Sequence, residues 1–197
     1  MAGASRKLVL IVIDGLDASG KSTQALGLCD FLKEHGGTVC LRFHPSDDNF
    51  LGVNARRFLY LEGKKAHSAA ALFYMLDVIR SILLYSWRRY DCTVFVRYLM
   101  GTAYLPSPLH RIAYHFFAST VPTSNLMFFL DVSPEEANRR IQQERRRREM
   151  FESLEELKRI RRKALCLALI GKWKIIDADR PAETVGEEIR RLLPASL

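Results

Sequence analysis

The chain has 197 residues, of which 48% are hydrophobic and 26% charged, a size and composition that predict one globular domain. The hydrophobic content excludes a disordered chain, and 11 glycines and four cysteines exclude collagen-like and disulfide-stapled scaffolds. Lysine and arginine outnumber aspartate and glutamate by 30 to 22. The resulting net charge of +8 calls for an anionic partner or a locally basic segment.

A short apolar run lies near the start of the sequence. It covers residues 8–13 and stops at Asp14, which is too short for a signal peptide or a membrane span. The four cysteines lie far apart, with no C-x-x-C pair and no histidine at metal-ligand spacing (Cys29, Cys40, Cys92 and Cys166). We therefore expect buried, reduced thiols, a cytoplasmic protein and no membrane association.

Strand and helix patterns alternate along the chain. The run 8–13 is continuous and rich in β-branched residues, which predicts a strand buried on both faces of a parallel sheet. Further strands are predicted at 38–43, 93–97, 125–132 and 173–177, and helices at 21–34, 67–89, 134–148, 153–170 and 182–193. The alternation predicts an α/β fold with a parallel sheet of about five strands. Without a repeat or linker, residues 1–197 are expected to form one domain.

A phosphate-binding motif follows the first predicted strand. Gly15-Leu-Asp-Ala-Ser-Gly20-Lys21-Ser22 matches G-x-x-x-x-G-K-[ST] between a strand and a helix, as in a P-loop. In such a loop the backbone N–H groups surround the β-phosphate, the lysine reaches the β- and γ-phosphates, and the serine hydroxyl ligates Mg²⁺. The residues expected to contact ATP are Gly15, Asp17, Ala18, Ser19, Gly20, Lys21, Ser22 and Thr23, with Ser22 also on Mg²⁺.

Other sequence motifs narrow the class of P-loop protein to which this chain can belong. The sequence has no N-K-x-D and no L-S-G-G-Q, which disfavours a GTPase and a transporter ATPase. Six arginines and one glutamate lie between positions 139 and 148, a local net charge of +5. Since phosphoryl transfer to a small acceptor must exclude water, this segment suits a closing lid, predicted at 142–151. The alternative is a solvated helix face that pairs with nearby glutamates.

Four stretches resemble the thymidylate kinase family of nucleoside monophosphate kinases over nearly the whole chain. Residues 15–23 resemble its P-loop, with an acid at Asp17. Arg97-Tyr98 followed by Ala103-Tyr104 resembles its D-R-Y…A-Y-Q stretch. Residues 129–141 resemble the strand and helix that lead into its lid, and residues 148–152 resemble the segment that closes it.

The resemblance implies a P-loop kinase fold and ATP- and Mg²⁺-dependent phosphorylation of a nucleoside monophosphate, dTMP first. Arg97 would hold the acceptor phosphate, and Asp17, Phe73 and Tyr104 would line the acceptor site. Because the P-loop has Ala18-Ser19 and no arginine there, the catalytic arginine would come from the lid. The candidates are Arg145, Arg147 and Arg148. A homodimer through helices is also implied.

The departures from the family pattern fall on the acceptor side. Val96 replaces an aspartate, Leu105 a glutamine and Val78 an arginine, and the arginine expected beside Pro45 is missing. A substitute for the missing acid is expected among Asp14, Asp17 and Asp131. Two alternatives stay open: a kinase of the same fold with another acceptor, and a nucleotide-binding regulator that has lost catalysis. Because the positive charge concentrates beside the P-loop, we expect a small anionic substrate and no nucleic acid.

Overall fold

Five parallel strands form the sheet at the centre of the molecule. They are β1 (Val9–Gly15), β2 (Val39–Phe43), β3 (Cys92–Val96), β4 (Met127–Asp131) and β5 (Lys174–Asp177), in the order β2-β3-β1-β4-β5. All four neighbouring pairs are parallel. This computed structural model describes residues 9–61, 64–85, 90–144, 153–194 and 197. The predicted α/β class and parallel sheet are confirmed.

Seven helices flank the sheet in the described ranges. They are α1 (Lys21–Glu34), α2 (Phe50–Leu59), α3 (Lys64–Tyr85), α4 (Leu109–Thr120), α5 (Pro134–Glu144), α6 (Leu154–Ile170) and α7 (Ala182–Arg191), with a short 3-10 helix at Met100–Tyr104. Helix α1 packs against α7, α2 against α3 and α5 against α6. Within those ranges no helix is both long and apolar enough to cross a membrane.

Helices α2 and α4 were absent from the predicted elements because neither has a clear apolar core face. In α2 the buried residues are the small Gly52 and Ala55, whereas Phe50 is exposed. In α4 the buried residues are His110, Tyr114 and Phe117, while Leu109, Ile112 and Phe116 are exposed. Tertiary packing against α3 and the 3-10 helix, rather than sequence periodicity, therefore defines these two helices.

The register of the central strands brings the site residues to one edge of the sheet. Ile13 of β1 lies beside Val96 of β3, which in turn lies beside Phe43 of β2. The P-loop, Arg97 and His44 follow directly after these three strand ends. Ligands of open α/β sheets bind at the carboxyl ends of the strands, so this edge is the candidate site.

Candidate active site

The P-loop runs from Gly15 to the first turn of α1. Gly15 has φ +152°, and a Cβ there would lie 2.4 Å from the carbonyl oxygen of Leu130, so the close approach to β4 requires glycine. Gly20 has φ +84° and precedes α1, whose first turn has neither a side-chain cap nor an acidic residue. The N-terminal N–H groups of α1 thus present a positive dipole end suited to an anion.

Lys21 lies over the P-loop and is buried. Its Nζ donates to the carbonyl oxygens of Gly15, at 3.0 Å, and of Leu16, and lies 3.4 Å from Ser19 Oγ. Ser22 and Thr23, one and two residues further on, are exposed at the same end of the helix. The structure therefore places the predicted phosphate-binding residues in one loop around the start of α1.

Asp17, Arg97 and Tyr104 converge beside this loop from three separate elements. Arg97 Nη2 donates to Asp17 Oδ1 at 2.9 Å, and the Tyr104 hydroxyl donates to Asp17 Oδ2, also at 2.9 Å. Burial raises the pKa of Asp17, but the charge of Arg97 and then that of Lys21 outweigh it and hold the pKa well below its usual range. Asp17 is therefore ionised at neutral pH and orients the Arg97 guanidinium.

Asp14 is buried and fixes the turn that follows β3. Its Oδ2 accepts hydrogen bonds from the backbone N–H groups of Tyr98, at 2.7 Å, and Met100, at 3.1 Å, while Oδ1 accepts from Gly15. Burial raises the pKa of Asp14, and these N–H donors oppose that rise. Because both oxygens are engaged by backbone, Asp14 holds the P-loop and the turn after β3 together.

Asp131, another acid considered as a substitute for the carboxylate absent at Val96, pairs with α6. Its two oxygens accept from Arg161 Nε and Nη2 at 2.7 and 2.8 Å, a bidentate ion pair. Val96 itself is fully buried in the core at the end of β3. Asp14, Asp17 and Asp131 are all held by partners within the protein, and the substitute role stays a prediction for each of them.

Phe73 and Tyr74 project to different surroundings on α3. Phe73 packs against α2, stacked on Phe58 at 5.6 Å between ring centroids and edge-on to Phe50 at 6.0 Å. Tyr74 instead turns toward the acceptor cluster, formed by the predicted acceptor-site residues Asp17, Arg97 and Tyr104. Its hydroxyl lies 3.4 Å from the Tyr98 carbonyl oxygen, and a Cβ on Gly101 would meet its ring at 2.5 Å.

The charges of the acceptor cluster also reach Tyr74. Burial raises the pKa of Tyr74 well above its usual value, and Asp14, Asp77 and Asp17 add to the rise while Arg97 opposes it. Tyr74 further lines a largely apolar cavity together with Tyr98, Gly101 and Leu105. The family resemblance implies Phe73 at this site, whereas these contacts belong to its neighbour Tyr74. Helical geometry separates the two side chains by about 100°.

Arg140 contacts the P-loop, a role that was not predicted from the sequence. Its Nη1 donates to the Ala18 carbonyl oxygen at 3.2 Å and its Nη2 to the Ala178 carbonyl oxygen at 3.0 Å. Glu136, one turn earlier on α5, accepts from Arg140 Nε at 2.7 Å. The helix that leads toward the predicted lid is thus tied to the phosphate-binding loop. Its position in an arginine-rich segment was the available signal.

The predicted lid lies mostly outside the described residues. Positions 142–144 complete α5, and Arg145, Arg147 and Arg148 belong to the part that the structure does not describe. For Mg²⁺, the exposed hydroxyl of Ser22 at the start of α1 fits the expected protein ligand. Across the described ranges no group of three or more histidine, cysteine or acidic side chains is assembled to hold a metal. A cation held by one hydroxyl, phosphate oxygens and water fits such a site.

Together, the parallel sheet, the loop at the end of β1 and the uncapped start of α1 define a P-loop nucleotide-binding protein with an α/β fold. A sequence model of the family described as thymidylate kinase matches residues 13–189. The chain belongs to the thymidylate kinase family, whose members are nucleoside monophosphate kinases and hence phosphotransferases.

Individual relatives agree with this assignment. A protein of Archaeoglobus fulgidus named probable thymidylate kinase is 26% identical over 96% of this chain and 96% of its own length. A thymidylate kinase of Leptospira borgpetersenii is 28% identical over 79% of this chain and 78% of that protein. The solved structure of thymidylate kinase from Candida albicans superposes with a TM-score of 0.73 at 19% identity, covering 93% of this chain and 90% of that one, and shows the shared fold.

Proposed function

We propose that this chain transfers the γ-phosphoryl group of ATP to dTMP, giving ADP and dTDP, in the presence of Mg²⁺. The observation that carries the proposal is the pairing of two anion-binding groups at one sheet edge. Lys21 lies over the P-loop, and Arg97 is held beside that loop by Asp17. Family membership supports the same reaction.

On the donor side, the loop N–H groups and Lys21 would hold the β- and γ-phosphates of ATP. In this structure Lys21 donates to carbonyl oxygens of its own loop, and the proposal has phosphate oxygens of ATP replace those carbonyls as its partners. Ser22 would hold Mg²⁺, which when bound neutralises charge on the phosphates. Arg145, Arg147 and Arg148 remain the candidates for the arginine that stabilises the migrating group.

On the acceptor side, Arg97 would bind the phosphate of dTMP. Only Nη2 is engaged by Asp17, and a guanidinium carries five N–H donors, so a phosphate can share the fork. Tyr104 is fixed by the same carboxylate and would form a wall of the pocket. Catalysis then consists of positioning and electrostatic stabilisation without a covalent intermediate.

A turnover assay with a panel of acceptors tests the proposal. Purified enzyme with Mg·ATP is given dTMP, dUMP, dCMP, dAMP or dGMP, and ADP release is measured with a coupled assay. We expect dTMP to have the highest kcat/KM. Turnover with none of these acceptors, by folded enzyme that binds ATP, would support the alternative of a catalytically impaired nucleotide-binding regulator.

A second candidate function is the same phosphoryl transfer to a different acceptor. The observation that favours it is the apolar lining of the cavity beside the acceptor cluster, where Leu105 stands in place of the family's glutamine. A pocket wall without that amide leaves the polar edge of thymine with fewer hydrogen bonds. A higher kcat/KM for another nucleotide, a nucleoside or a phosphorylated metabolite than for dTMP selects this candidate.

Tyr74 rather than Phe73 is expected to determine acceptor affinity. We predict that Tyr74→Ala raises the KM for dTMP about tenfold, since an aromatic surface next to a base contributes ~1 to 3 kcal/mol, while the KM for ATP stays unchanged. The matched control, Phe73→Ala, removes a ring from the α2–α3 contact and should lower the melting temperature without a selective change in the KM for dTMP. The reverse pattern contradicts the assignment.

We further propose that the enzyme is a homodimer formed through α3 and α4. Both helices line the same cavity and expose apolar side chains at helical spacing on their outer faces. These side chains are between 39% and 63% exposed (Leu72, Leu76 and Leu83 on α3; Leu109, Ile112 and Phe116 on α4). An apolar surface of this extent suits burial against a second copy.

Molar mass in solution tests the dimer. We expect light scattering on eluted protein to give twice the 22.6 kDa chain mass, and Leu76→Glu with Phe116→Glu to give a monomer. Leu169→Glu, which changes a still more exposed leucine on α6, is the control and should leave the dimer intact. A wild-type monomer at micromolar concentration contradicts the proposal.

We propose that the enzyme acts in the cytoplasm. The state of the thiols supports this location, since all four cysteines are free and three of them are buried. Burial raises the pKa of Cys29 to about 11 and that of Cys92 to about 12, so both thiols are protonated and unreactive at neutral pH.

A further inference from the structure

His44, the first residue after β2, hydrogen-bonds to the two consecutive peptide carbonyl groups on either side of the Arg97 Cα, at the end of β3. Its backbone N–H donates to the Val96 carbonyl oxygen at 3.0 Å. Its ring nitrogen Nδ1 lies 3.0 Å from the Arg97 carbonyl oxygen. A carbonyl oxygen only accepts hydrogen bonds, so Nδ1 carries the proton and donates. The side chain is only 1% exposed, and its ring packs edge-on against Phe95 at 5.5 Å.

The backbone that His44 holds has an unusual conformation. Arg97 has φ +60°, in the left-handed region that a residue with a side chain seldom adopts. Such a conformation persists only where surrounding contacts fix it. Three contacts fix it here: the Arg97 N–H donates to the Ile13 carbonyl oxygen at 3.1 Å, the Arg97 carbonyl oxygen accepts from His44, and the Tyr98 N–H of the same peptide donates to Asp14.

The direction of the Arg97 side chain depends on that backbone. From the left-handed conformation the guanidinium reaches Asp17 at 2.9 Å, beside the P-loop. A change to the extended or right-handed region would rotate the Cα–Cβ bond and carry the guanidinium away from the carboxylate. The hydrogen bond from His44 therefore influences the site indirectly, because it fixes the backbone that sets the direction of the Arg97 side chain.

We propose that His44 is a positioning residue for the acceptor-phosphate arginine, holding Arg97 in its left-handed conformation through the Nδ1–H···O=C hydrogen bond. The inference rests on the proposed function, in which Arg97 binds the phosphate of dTMP. His44 itself touches neither substrate. It acts by hydrogen bonding and not by charge.

The loop that carries His44 is held by hydrogen bonds to Asp77 of α3. Asp77 is fully buried and accepts from the Ser46 N–H at 2.7 Å, the Ser46 hydroxyl at 2.5 Å and Asn49 Nδ2 at 2.9 Å. Burial lowers the pKa of His44 to about 4, with Asp77 opposing the shift and Arg42 adding to it. The imidazole is therefore neutral at working pH and keeps the single Nδ1–H donor that the contact requires.

A series of substitutions at His44 separates the hydrogen bond from packing. His44→Phe keeps a ring against Phe95 but removes the donor. His44→Asn places an amide N–H close to the position of Nδ1, whereas His44→Gln places it near Nε2. We expect the KM for dTMP to rise about tenfold in His44→Phe and His44→Gln, the loss of one hydrogen bond, and to stay within about threefold of wild type in His44→Asn. The KM for ATP should not change.

A double-mutant cycle with Arg97→Lys tests whether His44 acts through Arg97. If it does, His44→Phe changes the KM for dTMP by less than about twofold in the Arg97→Lys background. Where His44→Phe fails to fold, the comparison of the asparagine and glutamine variants decides the question, since they differ mainly in the position of the donor.

Four results overturn the account, and they are distinguishable. Equal effects of His44→Phe in both backgrounds, or a parallel rise in the KM values for dTMP and ATP, overturn this inference alone. So does an asparagine variant that is as impaired as the glutamine variant. Absence of dTMP turnover by the wild-type enzyme overturns the proposed function and, with it, the role of Arg97 on which the inference rests.

Discussion

Replacing Lys21 by methionine is expected to lower kcat with ATP and dTMP by about 10²- to 10³-fold, the usual cost of removing a group that stabilises transition-state charge. Lys21 lies over the P-loop with its ammonium on the loop carbonyls, and methionine keeps the length of the side chain without the charge. The measurement is the initial rate at saturating substrates, together with a melting temperature to confirm folding.

The control for this prediction lies at the other end of the same helix. Lys33, whose side chain is 59% exposed, makes a weak 4.0 Å ion pair with Asp30. We expect Lys33→Met to leave kcat within about twofold of wild type, as for a typical surface ion pair. A Lys21→Met enzyme as active as the Lys33→Met enzyme contradicts the placement of the donor phosphates on the P-loop.

Replacing Arg97 by lysine is expected to raise the KM for dTMP by about 10²-fold, equivalent to ~2 to 3 kcal/mol for a charge-assisted hydrogen bond. The guanidinium fork donates to Asp17 with one nitrogen and keeps further N–H groups for the acceptor phosphate. A lysine ammonium is a point charge and cannot bridge both partners with the same geometry. The KM for ATP is expected to stay near its wild-type value.

Arg159 provides the matched control for Arg97. It lies on α6, is 59% exposed in its side chain and pairs with Glu156 one turn away. Arg159→Lys should change neither KM value. Equal KM values for dTMP in the Arg97→Lys and wild-type enzymes would show that the acceptor phosphate binds elsewhere, and would favour a different acceptor orientation.

The donor half of the site was predictable from the sequence because it is local. Gly15, Gly20, Lys21 and Ser22 lie within eight consecutive residues, and the buried strand before them and the helix after them are themselves strong patterns. Strand–helix alternation also gave the α/β class and the five strands. The structure moves their boundaries by only one or two residues.

The acceptor half depends on distant parts of the chain, and there the sequence alone was less informative. Asp17 and Arg97 are 80 positions apart, and resemblance to a family, not spacing, placed them together. The choice between Phe73 and Tyr74 depends on the rotation of α3 about its axis. The sequence periodicity of α3 does not define this rotation, because apolar residues are distributed around the whole circumference of the helix.

Backbone conformation explains what no sequence pattern showed. The left-handed φ of Arg97 occurs at a residue type that gives no local signal for it, unlike the glycines of the P-loop. His44 is one of five histidines in the sequence, and its role depends on the register that sets β2 beside β3. The partners of Asp14 and Asp131 likewise follow from tertiary packing.

Phosphorus NMR of the complete reaction tests the central claim most directly. Wild-type enzyme is mixed with Mg·ATP and dTMP, and the ³¹P spectrum is followed until it no longer changes. The account predicts that the resonances of ATP and dTMP decay together and that ADP and dTDP appear in equal amounts. Unchanged dTMP, either with intact ATP or with ATP hydrolysed to ADP and inorganic phosphate, would contradict it.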